Sequence, residues 1–338
     1  MSIKLSLCIP TYNRARFLDE TLRSIVGQAT ENVEIVISDN ASEDNTESVV
    51  EHYKKIFPRI FYHRQPQNMG ADYNYLKVVE LAHGEYCWLF GSDDLLHSGA
   101  INRILNEIDI GCGIYLCNRT ECNSDLRPIQ NQQWLSQTYN DHLFHFSMKS
   151  EWIEYFMAAT SLGALFSYIS AIIFNRKKWN EIRHDRVIIG TNYVHVFQLF
   201  SILKKGATLK YISAPLVLCR LDNDSFLSNG PVSRRLIDLH GYHLLATRLF
   251  FDDAEITSSF LSVLKETTSF WYLLNMKFDI RKRGGKDLPL LDQAVTALYA
   301  DPLFRNRVYL LVYRWAPLPF YDLIYKIANR AKRFLYAR

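Results

Sequence analysis

The chain has 338 residues, of which 48% are hydrophobic and 22% charged, as in globular proteins that bury a large core. Its formal net charge of +4 is unevenly distributed along the chain. Residues 301–338 contain eight Lys and Arg and two Asp, so residues 1–300 carry a net charge of −2. That balance, and the lack of a recognised motif, argue against nucleic-acid binding. We expect no nucleic-acid partner.

Three features indicate a cytoplasmic protein. No uninterrupted run of 18 apolar residues occurs, which predicts no transmembrane helix. The sequence starts on a strand-like run that ends at Pro10, which is too short for a secretory signal core. The six cysteines include no CxxC pair, so we expect buried, reduced thiols.

The first hundred residues alternate between strands and helices. Strand patterns cover about 4–12, 33–40, 59–63 and 86–91, and helical patterns cover about 15–28, 44–57 and 71–82. Strands separated by single helices favour a mainly parallel sheet, which binds ligands beyond the carboxyl ends of its strands. We therefore expect one cleft to contain the polar residues that follow the strands: Thr11, Tyr12, Asn13, Asp39, Asn40, Ser92, Asp93 and Asp94.

The rest of the chain is less regular. It predicts strands over 113–122, 166–179 and 208–225, the last bent at Pro215, and a helix over 192–206 with a glycine stop. From about residue 232 the pattern is helical and aromatic. We expect a domain over 1–226, with halves at 1–105 and 106–226, and a helical region over 227–338.

Four motifs follow one another in the predicted α/β part. They are CIPTYNR after the first strand, VISDNASEDNT after the second, NMGADYN before the third helix, and GEYCWLFGSDD at the fourth strand. Each alone is also typical of a turn or a helix cap. Together they resemble the donor-binding half of glycosyltransferase family 2, specifically over roughly residues 3–105 and more loosely to about 226. The resemblance implies the GT-A fold, a Rossmann-like, mainly parallel mixed sheet flanked by helices.

The resemblance also implies a nucleotide-sugar donor and the residues that bind it. In the family, the aspartate matching Asp39 hydrogen-bonds the base, and an arginine matching Arg220 binds the diphosphate, for which a planar guanidinium is suited. A surface turn remains the alternative for the segment around Arg220. The implied nucleotide-binding residues are Pro10, Thr11, Tyr12, Asn13, Asp39, Asn40, Gly70, Ser92, Asp93 and Arg220.

Two adjacent aspartates at the end of a buried strand repel each other, and burial of either one is costly unless something compensates. In the family, the acidic motif at this position holds a divalent cation on the donor diphosphate. The resemblance therefore implies Mn²⁺ or Mg²⁺, bound by Asp94 with Asp93 and Asp222. Gly91 stands where many relatives have a further aspartate, so this chain has one carboxylate fewer.

The acceptor side has fewer markers. Relatives place an acidic base at the start of the helix that follows the 166–179 segment, and the corresponding region here offers His195, with Asp185 as the second candidate for the catalytic base. A packed core histidine is the alternative for His195.

The whole chain is most similar to the abequosyltransferase branch of the family, which decorates O-antigen repeat units in lipopolysaccharide biosynthesis. This implies a CDP-3,6-dideoxyhexose donor, such as CDP-abequose, and a lipid-linked oligosaccharide acceptor. Two alternatives stay open: a sugar nucleotidyltransferase, and a catalytically silent binding subunit of a polysaccharide assembly complex.

Residues 308–338 combine aromatic, aliphatic and basic side chains on a helical pattern. Such a segment suits an anionic membrane surface, and a packing helix at a domain or dimer interface is the alternative. A homo-oligomer therefore stays open. With a lipid-linked acceptor, we expect a peripheral protein on the cytoplasmic face of the inner membrane.

Overall fold

The structure, a computed structural model, describes residues 2–221, 223, 226–227 and 230–315. The metal-ligand candidate Asp222 and tail residues 316–338 lie outside the described residues. Within the described ranges, no helix has the length and hydropathy needed to cross a membrane.

The described elements alternate as predicted in the first part and become helical in the last. The strands are β1 (Leu5–Thr11), β2 (Val33–Asp39), β3 (Ile60–Arg64), β4 (Tyr86–Leu89), β5 (Leu95–Leu96), β6 (Ile114–Cys122), β7 (Pro128–Gln132), β8 (Leu143–Phe144), β9 (Ile172–Asn175) and β10 (Leu209–Arg220). The helices are α1 (Ala15–Val26), α2 (Thr46–Ile56), α3 (Ala71–Glu80), α4 (Ala100–Ile108), α5 (Lys149–Ala158), α6 (Arg176–Asn180), α7 (Val194–Lys204), α8 (Pro231–Leu249), α9 (Ala254–Glu266), α10 (Phe270–Lys282), α11 (Leu288–Leu298) and α12 (Phe304–Trp315).

The first half of the sheet is parallel. β1 pairs with β2 and β4, and β2 pairs with β3, all in parallel register. Every residue of β1 and β2 is buried, as expected for parallel strands that are covered on both faces. On α1 the buried side chains include Leu18, Leu22 and Ile25, whose spacing forms one helical face. The predicted alternation is confirmed here.

The second half makes the sheet mixed. The strand order is β3-β2-β1-β4-β9-β6-β10-β5, and β9 runs antiparallel to both β4 and β6. β10 is parallel to β6, with register shifts on both sides of Pro215. Proline has no N–H to donate to the ladder, which explains why the predicted bend falls at this residue.

The segment 166–179, predicted as one strand, is mostly irregular. Only β9 is extended, and it is preceded by short 3₁₀ turns at Leu162–Leu165 and Ile169–Ala171. Phe166 adopts a left-handed φ of 61°. The strand prediction was wrong for residues 166–171, which form turns that bury Phe166 and Ala171 without a sheet ladder, and for residues 176–179, which belong to α6.

The C-terminal helices share packing with the preceding domain. Phe260 of α9 lies 5.4 Å from Phe156 of α5 and 5.5 Å from Phe200 of α7, measured between ring centroids. Phe250, next to the end of α8, contacts the same rings. The predicted division at residue 226 stays a prediction, but these aromatic contacts cross it. Of the predicted tail, residues 308–315 belong to α12.

Candidate active site

A cleft of about 700 Å³ opens at the carboxyl ends of β1, β4 and β10, where parallel α/β sheets bind ligands. The outer side of α1 carries a larger groove of about 930 Å³, but that groove contains none of the predicted site residues. Nine of those residues line the cleft: Pro10, Thr11, Tyr12, Asn40, Gly70, Ser92, Asp93, Asp94 and Arg220.

Asp39 lies behind the cleft wall, at the end of β2, and is 1% exposed. Its Oδ1 accepts hydrogen bonds from the Ser42 backbone N–H (2.9 Å) and hydroxyl (2.5 Å), and its Oδ2 accepts one from the Tyr62 hydroxyl (2.6 Å). Burial and this hydrogen bond raise the pKa of Tyr62. Asp39 therefore organises the loop after β2, and its predicted contact with a base stays a prediction.

Asn13 joins the loops that follow β1 and β2. Its φ is 52°, in the left-handed region that asparagine tolerates. Its backbone N–H donates to the Ser42 hydroxyl (2.8 Å), and its side-chain oxygen accepts from the Glu43 N–H (2.8 Å). Asn13 thus supports the wall formed by Pro10, Thr11 and Tyr12.

Asp94 is the most perturbed carboxylate of the cleft. It is 4% exposed, and one oxygen accepts a hydrogen bond from the Ser170 hydroxyl. The Ser170 oxygen in turn accepts the Gly91 backbone N–H at 2.8 Å. Burial, followed by the charge of the adjacent Asp93, raises the pKa of Asp94. The hydrogen bond from Ser170 and the positive charge of Arg119 oppose this rise of the Asp94 pKa and do not cancel it.

The space beside Gly91 explains the carboxylate that is missing there. A Cβ atom on Gly91 would lie 2.8 Å from the Asp94 Oδ2 atom and 3.1 Å from the Ser170 hydroxyl oxygen. The volume that a side chain at position 91 would need is therefore occupied by Asp94 and its partner. Glycine at this position permits the turn that carries Asp94.

Asp93 faces two polar neighbours that the sequence did not single out. Arg14 lies 3.4 Å from its Oδ2 atom, and the Asn223 side-chain amide donates to the same oxygen at 2.7 Å. Arg14 also donates to the Asn223 carbonyl at 3.1 Å. Burial raises the pKa of Asp93, and the Arg14 charge opposes this rise.

Asp93 and Asp94, here called the acidic turn, are a donor set that fits a divalent cation. The described residues contain no cluster of three or more potential metal-ligating side chains. A Mg²⁺ ion that bridges substrate phosphates commonly takes only one or two protein carboxylates. Asp93 and Asp94 supply two, and both have raised pKa values that a cation would lower.

Two arginines lie near the acidic turn, one at the end of β10 and one within β6. Arg220 is 9% exposed; it pairs with Glu20 at 2.5 Å, donates to the Ser124 carbonyl and covers the Phe17 ring. Arg119, which was not predicted, lines the same cleft and stacks on Tyr168 at 4.4 Å. Both guanidinium groups are held by carboxylates, Arg220 by Glu20 and Arg119 by Glu121 at 2.6 Å.

The two predicted catalytic bases lie outside the cleft lining. His195 is 3% exposed on α7, where its Nε2 atom contacts the Phe166 carbonyl oxygen at 3.0 Å; burial lowers the pKa of His195 to about 4. Asp185 forms a 2.9 Å ion pair with Arg248. The alternative of a packed core histidine describes His195 better. Neither His195 nor Asp185 lines the cleft, and a catalytic role for either stays a prediction.

Several residues of the cleft that sequence reasoning missed are held in place by contacts between distant parts of the chain. Ser170, Arg119 and Asn192 lie at least 25 residues away from Asp94 in the sequence. Arg14 and Asn223 had a local signal, because Arg14 directly follows the PTYN loop and Asn223 directly follows Asp222.

Comparison with known proteins agrees with this geometry. The sequence profile of the family described as "Glycosyl transferase family 2" matches residues 6–171. The chain is 40% identical to the abequosyltransferase RfbV of Salmonella typhimurium, over 79% of this chain and 82% of that protein.

Solved structures share the fold at low sequence identity. TarS 1–349 of S. aureus in complex with UDP superposes with a TM-score of 0.66 at 14% identity, over 97% of this chain and 92% of that one. The mannosyltransferase PcManGT of Pyrobaculum calidifontis, in complex with GDP-Man and Mn²⁺, gives 0.52 at 16% identity, over 99% and 88%. The predicted GT-A architecture is confirmed, and the chain belongs to glycosyltransferase family 2.

Proposed function

We propose that this glycosyltransferase moves a 3,6-dideoxyhexose from a CDP-linked donor, such as CDP-abequose, to a lipid-linked oligosaccharide of O-antigen biosynthesis. The observation that carries this proposal is the 40% identity to an abequosyltransferase over most of both chains. Family membership removes the sugar nucleotidyltransferase alternative. A silent binding subunit remains the competing proposal, and turnover distinguishes the two.

In this proposal the donor nucleoside lies along Pro10–Tyr12 and Asn40, and the diphosphate lies towards the end of β10. Arg220 and Arg119 provide the positive charge that a diphosphate requires. Glu20 already pairs with Arg220, which fixes the guanidinium before the donor arrives. Pre-arranged charges of this kind lower the cost of organising the site during reaction.

Asp94 and Asp93 are the residues that would hold Mn²⁺ or Mg²⁺, and a bound cation would neutralise the charge that develops on the departing diphosphate. Ser170 fixes the orientation of Asp94, and Arg14 and Asn223 fix that of Asp93. Asp222 was implied as a third ligand and lies outside the described residues. The Mn²⁺ complex of PcManGT supports this proposal.

The reaction itself breaks the bond between the anomeric carbon and the donor diphosphate while an acceptor hydroxyl forms the new glycosidic bond. The hydroxyl proton passes to solvent water during this step, and the nucleoside diphosphate departs with the electron pair of the broken bond. A dideoxyhexose lacks two hydroxyls, so its pocket needs apolar walls. Tyr75, Tyr168, Ile169 and Phe226 line the cleft and are suited to that requirement.

A donor screen tests the proposal. CDP-, UDP-, GDP- and dTDP-sugars are compared with Mn²⁺ or Mg²⁺ by thermal shift, by donor hydrolysis and by transfer to a lipid-linked acceptor. We expect the largest shift and the fastest turnover with the CDP-dideoxyhexose. Preference for another base would overturn the donor assignment. Binding without any turnover would favour the silent subunit.

We also propose that the chain works at the cytoplasmic face of the inner membrane, through its basic tail. Flotation with anionic liposomes compares the full chain with a chain that ends at Trp315, after α12. We expect the full chain alone to float, because residues 316–338 contain five Lys and Arg. Equal flotation of both chains would contradict the proposal that the tail binds the membrane.

A further inference from the structure

The segment that precedes α7 is tied to α3 by one buried carboxylate. Asp72, at the second position of α3, is 2% exposed. Its Oδ2 atom accepts the backbone N–H groups of Gly190 (2.7 Å) and Asn192 (2.8 Å), and its Oδ1 atom accepts that of Val194 (3.1 Å). Three amides from a segment about 120 residues away thus converge on a single side chain.

Asp72 also caps α7 from a distance. Val194 is the first residue of α7, and its N–H has no partner within the helix. A carboxylate at a helix N-terminus is favoured by the helix dipole, and its hydrogen bonds are charge-assisted. The N-terminal end of α7 and the N-terminal end of α3 therefore hold each other in place.

Helix α8 holds the same segment from its other side. The Tyr193 hydroxyl donates to Asp238, and its ring packs on Gly241 so closely that a Cβ atom there would lie 2.3 Å from a ring carbon. Tyr193 is therefore fixed by α8, while the backbone of its neighbour Asn192 is fixed by Asp72. Asn192 has little freedom to move.

Asn192 itself is a half-buried residue of the cleft wall. Its φ is 70°, in the left-handed region that most residues avoid. It lines the cleft together with Gly70 and Tyr75. Its backbone N–H bonds Asp72, and across the described ranges no hydrogen bond engages its side-chain amide. The cleft wall here offers one amide donor and one amide acceptor.

We propose that Asn192 is a binding contact for the acceptor sugar, and that Asp72 is the residue that positions it. The carboxamide can accept a hydrogen bond from one sugar hydroxyl and donate to a neighbouring one. It has no basic group, so it contributes by orienting the acceptor rather than by removing the proton. This inference rests on the proposed glycosyl transfer.

The test compares three variants with the wild type: Asn192→Gly, Asn192→Ala and Asp72→Asn. Glycine keeps the left-handed backbone and removes only the amide, so it isolates the side-chain contact. We expect Asn192→Gly to lower kcat/KM for the acceptor by at least about tenfold, because the loss of even one of the two proposed hydrogen bonds has an effect of that size. The donor KM and donor hydrolysis to water should stay unchanged.

Asn192→Ala keeps the loss of the amide and adds backbone strain, so we expect a larger loss with the same pattern. Asp72→Asn should lower acceptor kcat/KM without changing the donor KM, because the amide side chain has one acceptor oxygen instead of two. If Asp72 had a merely structural role, Asp72→Asn would instead lower kcat/KM for the acceptor and for the donor together.

Wild-type acceptor kinetics in Asn192→Gly would overturn the inference and leave the proposed function intact. An equal rise in donor KM would also overturn it, since the amide would then contact the donor. A wild-type protein that neither hydrolyses nor transfers any nucleotide sugar would instead overturn the proposed function. Thermal melts within a few degrees of the wild type establish that Asn192→Gly is folded.

Discussion

The two sides of the cleft satisfy their carboxylates in opposite ways. At the end of β2, Asp39 accepts three hydrogen bonds from Ser42 and Tyr62, and it is complete without a ligand. After β4, a half-buried Asp93 lies next to a buried Asp94, and desolvation raises the pKa of both. The first side is a structural unit that shapes the wall. The second is an electrostatic cost that a bound cation would relieve.

Replacement of Asp94 should have the largest effect. We expect Asp94→Asn to lower the transfer rate by about 10³-fold, because it removes a charge that the departing diphosphate requires. Its stability without metal should equal or exceed that of the wild type, since a buried repulsion is lost. Rates are measured with saturating Mn²⁺. Asp109→Asn, at an exposed ion pair with Lys4, is the matched control. Full activity of Asp94→Asn would contradict the metal assignment.

His195 provides a pH-dependent contrast with the acidic turn. Its pKa is about 4 in the folded protein and about 6.5 when unfolded, so the unfolded chain binds the extra proton between these values. The wild type should therefore lose about 3 kcal/mol of stability as the pH falls from 6.5 to 4. Denaturation with urea at several pH values, compared with His195→Gln, isolates this slope. If the free energy of unfolding of His195→Gln depended on pH as steeply as that of the wild type, a group other than His195 would cause the loss of stability.

Asp39→Asn probes the side of the cleft that is already satisfied. An asparagine presents an NH₂ group where one carboxylate oxygen accepts a hydrogen bond, so one donor loses its acceptor. We expect the free energy of unfolding to fall by about 2 kcal/mol. Urea denaturation without metal or nucleotide measures this value. If Asp39→Asn were neutral and Asp94→Asn destabilising, the contrast between the two sides would be reversed.

Ser170 gives the smallest effect, and it tests how Asp94 is held. In Ser170→Ala, the Gly91 N–H and one Asp94 oxygen both lose their partner. We expect the affinity for Mn²⁺ in the presence of CDP to fall by about tenfold, as is usual when the partner of a metal ligand is removed. Ser262→Ala on α9 serves as the control. An unchanged affinity would show that Asp94 does not need this support.

Local patterns predicted the sheet and much of the cleft. β1, α1 and β2 have strong apolar periodicity, and polar residues directly follow the strands, so their convergence follows from parallel topology. The contacts that complete the site are non-local. Ser170 reaches Asp94 across 76 residues, and Asp72 reaches Asn192 across 120. No periodicity marks such pairs, and the buried turns of 166–171 carry the same apolar composition as a strand.

Binding of CDP tests the central claim most directly, because it needs no acceptor. Isothermal titration compares the wild type and Asp94→Asn, each with Mn²⁺ and with excess EDTA. We predict that Mn²⁺ tightens CDP binding to the wild type by at least about tenfold, and that Asp94→Asn loses this gain. Equal CDP affinity with Mn²⁺ and with EDTA in the wild type would contradict the account, since the two aspartates would then have no cation to hold.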